Sequence, residues 1–445
     1  MRKASLLTIF LVVFIDLMGF GIVMPNLQLY GHDFGISNYF VLTLIGAVYS
    51  FFQFLFAPLL GKWSDRIGRR PVLLISQAGT LIGFLILYSA HWFEASAIGI
   101  GLLFFSRILD GITGGNISTA SAYIADITTP ENRAKGFGVI GAAFGLGFVA
   151  GPLLGGITAR FLGLSSVPLV AAFFSLSALV CTFLFLPESL NPSTNPADLR
   201  RFSFLGLRHS LSRPIIAPLI MIFFVNGFAF AGMEQTLSLL IQLRLFPTPE
   251  GHAAATMSFQ DLTNYVHFQD KRASFATGLL FFFIGMILVL IQGKFIHPLT
   301  RIFKEARLVI AGPLFIAIGL VIIGIPNQVI DWPWKWMGFV IGCAFLAVGS
   351  SIFTPALQSL ISRHASTSEQ GEILGANQGM ASLARALGPI FAGLLFQYVA
   401  PGTIFHGSAP YFASAALCIG VAWWAFGIRT KLAPPSSPNA AAIHS

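Results

Sequence analysis

Charge is scarce in this chain. Asp, Glu, Lys and Arg together make up only 10% of its 445 residues, against 55% apolar residues and a mean hydropathy of +0.79. Soluble globular domains carry about a quarter charged residues, so a water-soluble fold is excluded and a polytopic membrane protein is indicated. Cysteine is equally sparse: Cys181, Cys343 and Cys418 each fall inside an apolar run, which reads as small buried side chains and excludes a disulfide framework. His91, His406 and the histidines between residues 246 and 272 lack metal-ligand spacing, so no metal is expected. Ser-His-Asp and Cys-His arrangements and a phosphate-cradling loop are also missing, which argues against an enzyme, a cofactor or ATP as the energy source. A net charge of +9 could suggest a nucleic-acid partner, but the basic residues sit in short connections between apolar runs, the signature of membrane topology.

What is present is a succession of apolar runs, each about as long as a bilayer-crossing helix. They lie near 5–30, 40–60, 72–90, 97–124, 136–159 and 166–186, then near 214–243, 273–293, 306–325, 335–362, 372–399 and 409–428. The first follows Met1-Arg2-Lys3 and resembles a signal peptide, but it runs on without an obvious cleavage site and reads as an uncleaved span. The fold class expected is therefore all-α and integral to the membrane, with twelve helices in two bundles: residues 1–186 and 214–428, joined by a linker at 187–213. Residues 246–272 are expected to form an outer connection, either a tolerated insertion or a lid. The proline-bearing tail, 429–445, has nothing to pack against.

Charge gives the orientation. Nineteen of the 26 Lys and Arg residues fall on the terminal and even-numbered connections, five on the odd-numbered ones, and Arg107 and Arg385 within spans. Both termini are thus expected in the cytoplasm, with the protein in the cytoplasmic (inner) membrane and lipid around a monomer. The halves also echo one another: Gly293-Lys294 with Arg301 repeats Gly61-Lys62 with Arg69, and Gly388-Pro389 repeats Gly151-Pro152. Such echoes are expected of parallel six-helix repeats. The second copy is degenerate, with His297 in the place of Asp65.

Ionisable groups in hydrocarbon cost several kcal/mol, so each needs a partner or a task. Counting about 1.5 Å per residue places Asp16 near the centre of the first span, with Arg107 and Asp110 at similar depth in the fourth. Arg107 and Asp110 are three residues apart and can pair, either to neutralise one another structurally or to take part in proton coupling. Asp16 has no sequence-local partner; a carboxylate exposed alternately to two sides can carry protons. Glu234 is either substrate-facing or a solvated rim residue. Arg385 most simply meets a carboxylate or carbonyl oxygens across the cavity, with direct substrate binding as the alternative. Asn26, Asn226, Gln235 and Asn377 are the remaining polar candidates for a substrate.

Two motifs carry more. The stretch Gly61-x-x-x-Asp65-Arg66-x-Gly68-Arg69-Arg70-Pro71 sets one carboxylate among four basic residues between two spans. A topology anchor needs the arginines but has no use for the aspartate. The fifth span reads Gly141-x-x-x-Gly145-x-Gly147-x-x-x-Gly151-Pro152-x-x-Gly155-Gly156; its small residues allow close helix approach and its proline a bend.

The first motif resembles the loop between the second and third helices of the major facilitator superfamily, and the second resembles the fifth-helix pattern of that superfamily's antiporters. With Phe14-Ile15-Asp16-Leu17-Met18-Gly19-Phe20-Gly21 and Arg107-Ile108-Leu109-Asp110-Gly111, the first half is similar to bacterial drug:proton antiporters, especially the tetracycline-exporter branch. That resemblance implies two six-helix bundles around a cavity, alternating access, a coupling role for Arg107, and a gating role for Asp65. A carboxylate there would be favoured near the N-terminus of the eleventh helix, with Arg66, Arg69 and Arg70 holding it. There are departures: the third and ninth spans lack acidic residues, and Asn26 follows Pro25 where the family has a further proline nearby. Asp110 also replaces a commoner neutral residue.

The reading is a secondary transporter that uses the proton gradient to export a small, drug-like or metabolite compound. Uptake by symport or uniport is the alternative, and a non-transporting receptor the remote one.

Overall fold

The computed structural model of the chain describes residues 6–94, 96–114, 116–128, 133–190, 204–246, 259–326, 336–364, 370–398 and 405–429. Twelve helices among them are long and apolar enough to cross a membrane. The first six are α1 (Leu6–His32), α2 (Tyr39–Ile67), α3 (Arg69–Phe93), α4 (Ala97–Ile127), α5 (Gly141–Leu162) and α6 (Leu164–Phe185). The second six are α7 (Ile216–Leu245), α8 (Tyr265–Phe295), α9 (Glu305–Gly324), α10 (Met337–His364), α11 (Gly375–Tyr398) and α12 (Ala409–Ile428). No strand occurs among the described residues. The protein is an all-helical, multi-pass integral membrane protein. Below, the face bearing the α2–α3 connection is called the basic face and the other the distal face.

The described residues correct one boundary. The helix containing α8 begins at Phe259, so 259–272 are helical and the expected outer connection 246–272 is shorter by that much. Residues 247–258 lie outside the described set, as do 191–203 of the linker and 430–445 of the tail. The linker's described part includes a short helix, Phe204–Leu211, whose Leu207 and Leu211 pack on the second bundle's core.

Local sequence explains the interruptions. α1 tightens into a 3-10 turn at Met24–Asn26 around Pro25, because proline cannot donate the backbone hydrogen bond an α-turn needs. α4 is broken at Gly114 into Ala97–Thr113 and Asn116–Ile127. α8 ends in a widened π turn, Ile291–Phe295.

The internal echo has a common geometry. A Cβ on Gly151 of α5 would lie 2.8 Å from Cα of Gly21 on α1, and one on Gly388 of α11 would lie 3.2 Å from the backbone N of Gly232 on α7. Each Gly-Pro pair thus lets a helix of one bundle press its backbone onto the first helix of that bundle. At the distal face Arg244 ties three helices together. Its guanidinium donates to the carbonyls of Ile323 (2.7 Å), Gly324 (2.9 Å) and Ile325 (3.1 Å) and to Ser408 Oγ (2.7 Å). Carbonyls at a helix C-terminus lack intrahelical donors, and a cation satisfies them and the helix dipole together.

The two bundles meet through a polar and aromatic seam towards the distal face. His32 Nδ1 lies 3.2 Å from Asp270 Oδ2, and His267 Nδ1 lies 2.9 Å from Asp33 Oδ1. The Tyr39 N–H donates to Gln397 Oε1 (2.9 Å), and its ring sits 4.6 Å from that of Phe396. Arg160 lies over the Phe268 ring at 5.5 Å. Nearer the basic face, a side chain placed at Gly141 or Gly145 of α5, or at Gly293 of α8, would meet no described atom within 4 Å. The arrangement is closed at the distal face.

Candidate functional site

The basic-face motif is tighter than a loop. α2 continues through Asp65 and Arg66 to Ile67, and α3 starts at Arg69, so the expected connection over 61–71 reduces to the single residue Gly68. Its φ of +106° and ψ of 159° are open in practice to glycine alone. A Cβ there would also run into the Glu188 carboxylate, whose Cδ would lie 2.9 Å away. Glu188 in turn accepts from the Arg69 N–H (2.8 Å) and the Arg70 N–H (3.1 Å), capping the start of α3 with a negative charge.

Arg69 is the centre of this face. Wholly buried, it donates from Nη1 to Asp65 Oδ1 (2.5 Å) and Ser64 Oγ (3.0 Å), and from Nε to Asp126 Oδ2 (2.8 Å). The expectation that Arg66, Arg69 and Arg70 share Asp65 needs correction. Arg70 turns instead to the Phe183 carbonyl (2.7 Å) and ring, and Arg66 is exposed. Arg301 lies in the helix Ile296–Ile302, its side chain outside the described set. Asp126 and Glu188 were not anticipated. The available signal was position: each is a carboxylate at the basic-face end of an apolar run.

The antiporter-like glycines divide into two groups. Gly147, Gly151 and Gly155 press on α1 at Leu17, Gly21 and Ile22, while Gly141 and Gly145 face open space. Gly156 meets Phe275 and Gly278 of α8, so the same helix packs within its bundle and across the seam.

Between the two faces lies a line of buried ionisable groups. Arg107 Nη1 donates to Asp110 Oδ2 at 3.1 Å, and its guanidinium lies over the Phe84 ring at 5.3 Å. Both residues are buried, at 0% and 2% exposure. Asp16 lies close enough to feel the charge of Asp110. Its partner is Asn116, whose amide donates to Asp16 Oδ2, a residue the sequence reading passed over. Tyr49 is within electrostatic reach of Asp16, Arg107 and Asp110, and also of Arg385 from the second bundle. Its hydroxyl accepts from Gln53 Nε2 at 2.9 Å. Arg385 donates to Ser382 Oγ at 3.0 Å and is within reach of Glu234. Glu234 is buried, which removes the solvated-rim alternative. Asp16, Asp110, Arg107 and Tyr49 of the first bundle are thus linked electrostatically, through the partly buried Arg385, to Glu234 of the second.

The four polar candidates separate. Asn26 and Gln235 belong to the seam: Ser274 Oγ donates to Asn26 Oδ1, and Gln28 donates to Gln235 Oε1. Asn226 and Asn377 are buried, and their Oδ1 atoms have no hydrogen-bond partner among the described residues. No group of three His, Cys, Asp or Glu side chains that could hold a metal ion occurs among the described residues.

Comparison with known proteins bears on this geometry. The family model described as Major Facilitator Superfamily matches residues 9–345 and 251–444. The chain is 32% identical over 429 residues to the class C tetracycline resistance protein of Escherichia coli, covering 94% of this chain and 92% of that protein. It is 30% identical over 429 residues to major facilitator superfamily domain-containing protein 10 of Bos taurus, covering 88% and 79%. Among solved structures, the human organic anion transporter MFSD10 (TETRAN) superposes with a TM-score of 0.65 at 26% identity, covering 94% of this chain and 98% of that one. A peptide transporter superposes at 0.71 with 14% identity, covering 96% and 94%; at that identity the likeness concerns the fold.

Proposed function

The chain belongs to the Major Facilitator Superfamily, a family of membrane transporters and not of enzymes, and from that premise we propose that it is a proton-coupled antiporter exporting a small amphipathic organic compound. The observation that carries the proposal is the composition of the buried line. Asp16, Asp110 and Glu234 supply three carboxylates against the two guanidinium groups of Arg107 and Arg385. Fully ionised, the set has one negative charge too many for a low-dielectric interior, and uptake of one proton makes it neutral. Asp110 is paired with Arg107 and Glu234 lies within reach of Arg385, whereas Asp16 has only the neutral Asn116 amide and the like charge of Asp110 beside it, so it is the group we assign to proton uptake. Arg107 and Asp110 neutralise one another beside it.

Alternating access follows from the two faces. The positive-inside distribution of Lys and Arg makes the basic face the cytoplasmic one, with both termini there and the distal seam external. On this reading the joined distal seam is the outer barrier of the cycle. Asn226 and Asn377, whose buried Oδ1 atoms have no partner among the described residues, are then the candidate substrate contacts. Opening the distal seam while the basic-face network around Arg69 rearranges exposes the site to the other side.

The relatives direct the choice of probe: one group is named for resistance to tetracycline, another contains an organic anion transporter. Purified protein in proteoliposomes with a pH-sensitive dye inside should move protons when tetracycline or an aromatic carboxylate is added. Transport of these probes without any proton movement would contradict antiport. Proton and probe moving in the same direction would support uptake.

A further inference from the structure

Asn116 is the first residue of α4's second half, immediately after the break at Gly114. Its Oδ1 accepts from the Ile117 N–H at 2.8 Å. An amide with its oxygen engaged in this way presents its NH2 on the other side, and that NH2 donates to Asp16 Oδ2. The opposite orientation would set an amide oxygen against a carboxylate and leave the Ile117 N–H facing an NH2 group. The helix end therefore fixes which way the amide points. The second oxygen of the carboxylate is in a different situation: Asp16 Oδ1 is buried and has no hydrogen-bond partner among the described residues. Asp16 and Asn116 line one small cavity with Gln77, and Gln77 Oε1 is likewise buried without a partner. Asp16 and Gln77 thus border one small cavity, and each keeps a buried oxygen without a partner among the described residues.

We propose that Asn116 is a positioning residue for proton coupling: its amide holds Asp16 Oδ2 and so leaves Oδ1, the oxygen without a partner among the described residues, to take up and release the proton. The inference rests on the reading of Asp16 as the proton carrier. On uptake, a hydronium ion gives its proton to Oδ1 and leaves as water, and the carboxylate becomes a neutral acid. Oδ2 is then the carbonyl oxygen and keeps the Asn116 hydrogen bond. On release the steps reverse towards water on the other side.

The test is pH-difference infrared spectroscopy of the purified, reconstituted full-length protein, which needs no substrate. The C=O stretching band of protonated Asp16 is identified by its loss in Asp16→Asn. Two variants are compared. Asn116→Ala removes the amide altogether, whereas Asn116→Ser keeps an oxygen able to cap the first turn of the helix but loses the longer amide NH2 that reaches Asp16 Oδ2. In both, the band should move to higher frequency, because its carbonyl loses a hydrogen bond. Its titration should also move to higher pH by about one unit, the usual scale for a hydrogen bond to an ionised group. An unchanged band in both variants overturns the assignment of Asn116. So does a band restored to the wild-type position by Asn116→Ser, which would reduce the residue to a helix cap. Absence in the wild type of any band that Asp16→Asn removes would overturn the proton-carrier reading itself.

Discussion

The two bundles share a plan and differ in what they bury. In the first, the basic-face turn is built on Arg69, at 0% exposure, with Asp65, Asp126 and Glu188 around it. In the second, a comparable pairing joins Arg363 to Glu305 at 2.8 Å, but the arginine side chain is 58% exposed. The Gly-Pro packing of α5 on α1 and of α11 on α7 is preserved, whereas His297 replaces the carboxylate and α8 ends in a π turn. Among the described residues, close backbone packing is thus kept in both halves, and a buried charge network at the basic face in one. Burial decides which copy matters energetically: an exposed ion pair contributes about 0–1 kcal/mol, while losing one partner of a buried network costs about 3–5 kcal/mol.

This contrast can be broken in graded steps. Arg69→Ala leaves two carboxylates facing one another at the basic face and should destabilise the protein by about 3–5 kcal/mol, read as a lowered thermal unfolding midpoint in detergent. A loss below about 1 kcal/mol would mean that water or another cation already satisfies Asp65 and Asp126. Gly68→Ala forces a side chain into a conformation reserved for glycine, and against Glu188; the expected cost is about 1–3 kcal/mol. Wild-type stability in that variant would show that the turn relaxes freely. Arg363→Ala, the counterpart in the second bundle, should change stability by less than about 1 kcal/mol, with the small effect disappearing in high salt. An effect equal to that of Arg69→Ala would erase the distinction drawn between the halves.

Much of this architecture was legible in the sequence because the signals are long. A run of about 20 apolar residues specifies a crossing helix almost regardless of detail, and the Gly-Pro echo disclosed the repeat. Asp16, Arg107, Asp110 and Asp65 were legible because ionised groups are rare in such runs. What stayed hidden were the partners. Asn116, Asp126 and Glu188 meet their targets across 100, 57 and 119 residues of sequence, and no local spacing encodes such pairings. The Gly114-Gly115-Asn116 stretch could have announced the break in α4, since two glycines weaken a helix and Asn favours its start. Asn26 and Gln235 looked like ligands for a substrate and proved to be part of the seam. A polar residue near the middle of a span serves either purpose, and only the position of the opposite bundle distinguishes them. The helical start at Phe259 was missed because Asp261, Lys271 and Arg272 read as a polar connection.

The account turns on Asp16 carrying the proton. The most direct measurement compares wild type and Asp16→Asn in proteoliposomes by two assays with radiolabelled tetracycline: accumulation driven by an imposed pH gradient, and exchange against unlabelled tetracycline with no gradient. The prediction is that the variant loses gradient-driven accumulation and keeps exchange, since the substrate site and the rocking of the bundles do not need that proton. Undiminished gradient-driven accumulation by Asp16→Asn would contradict the account.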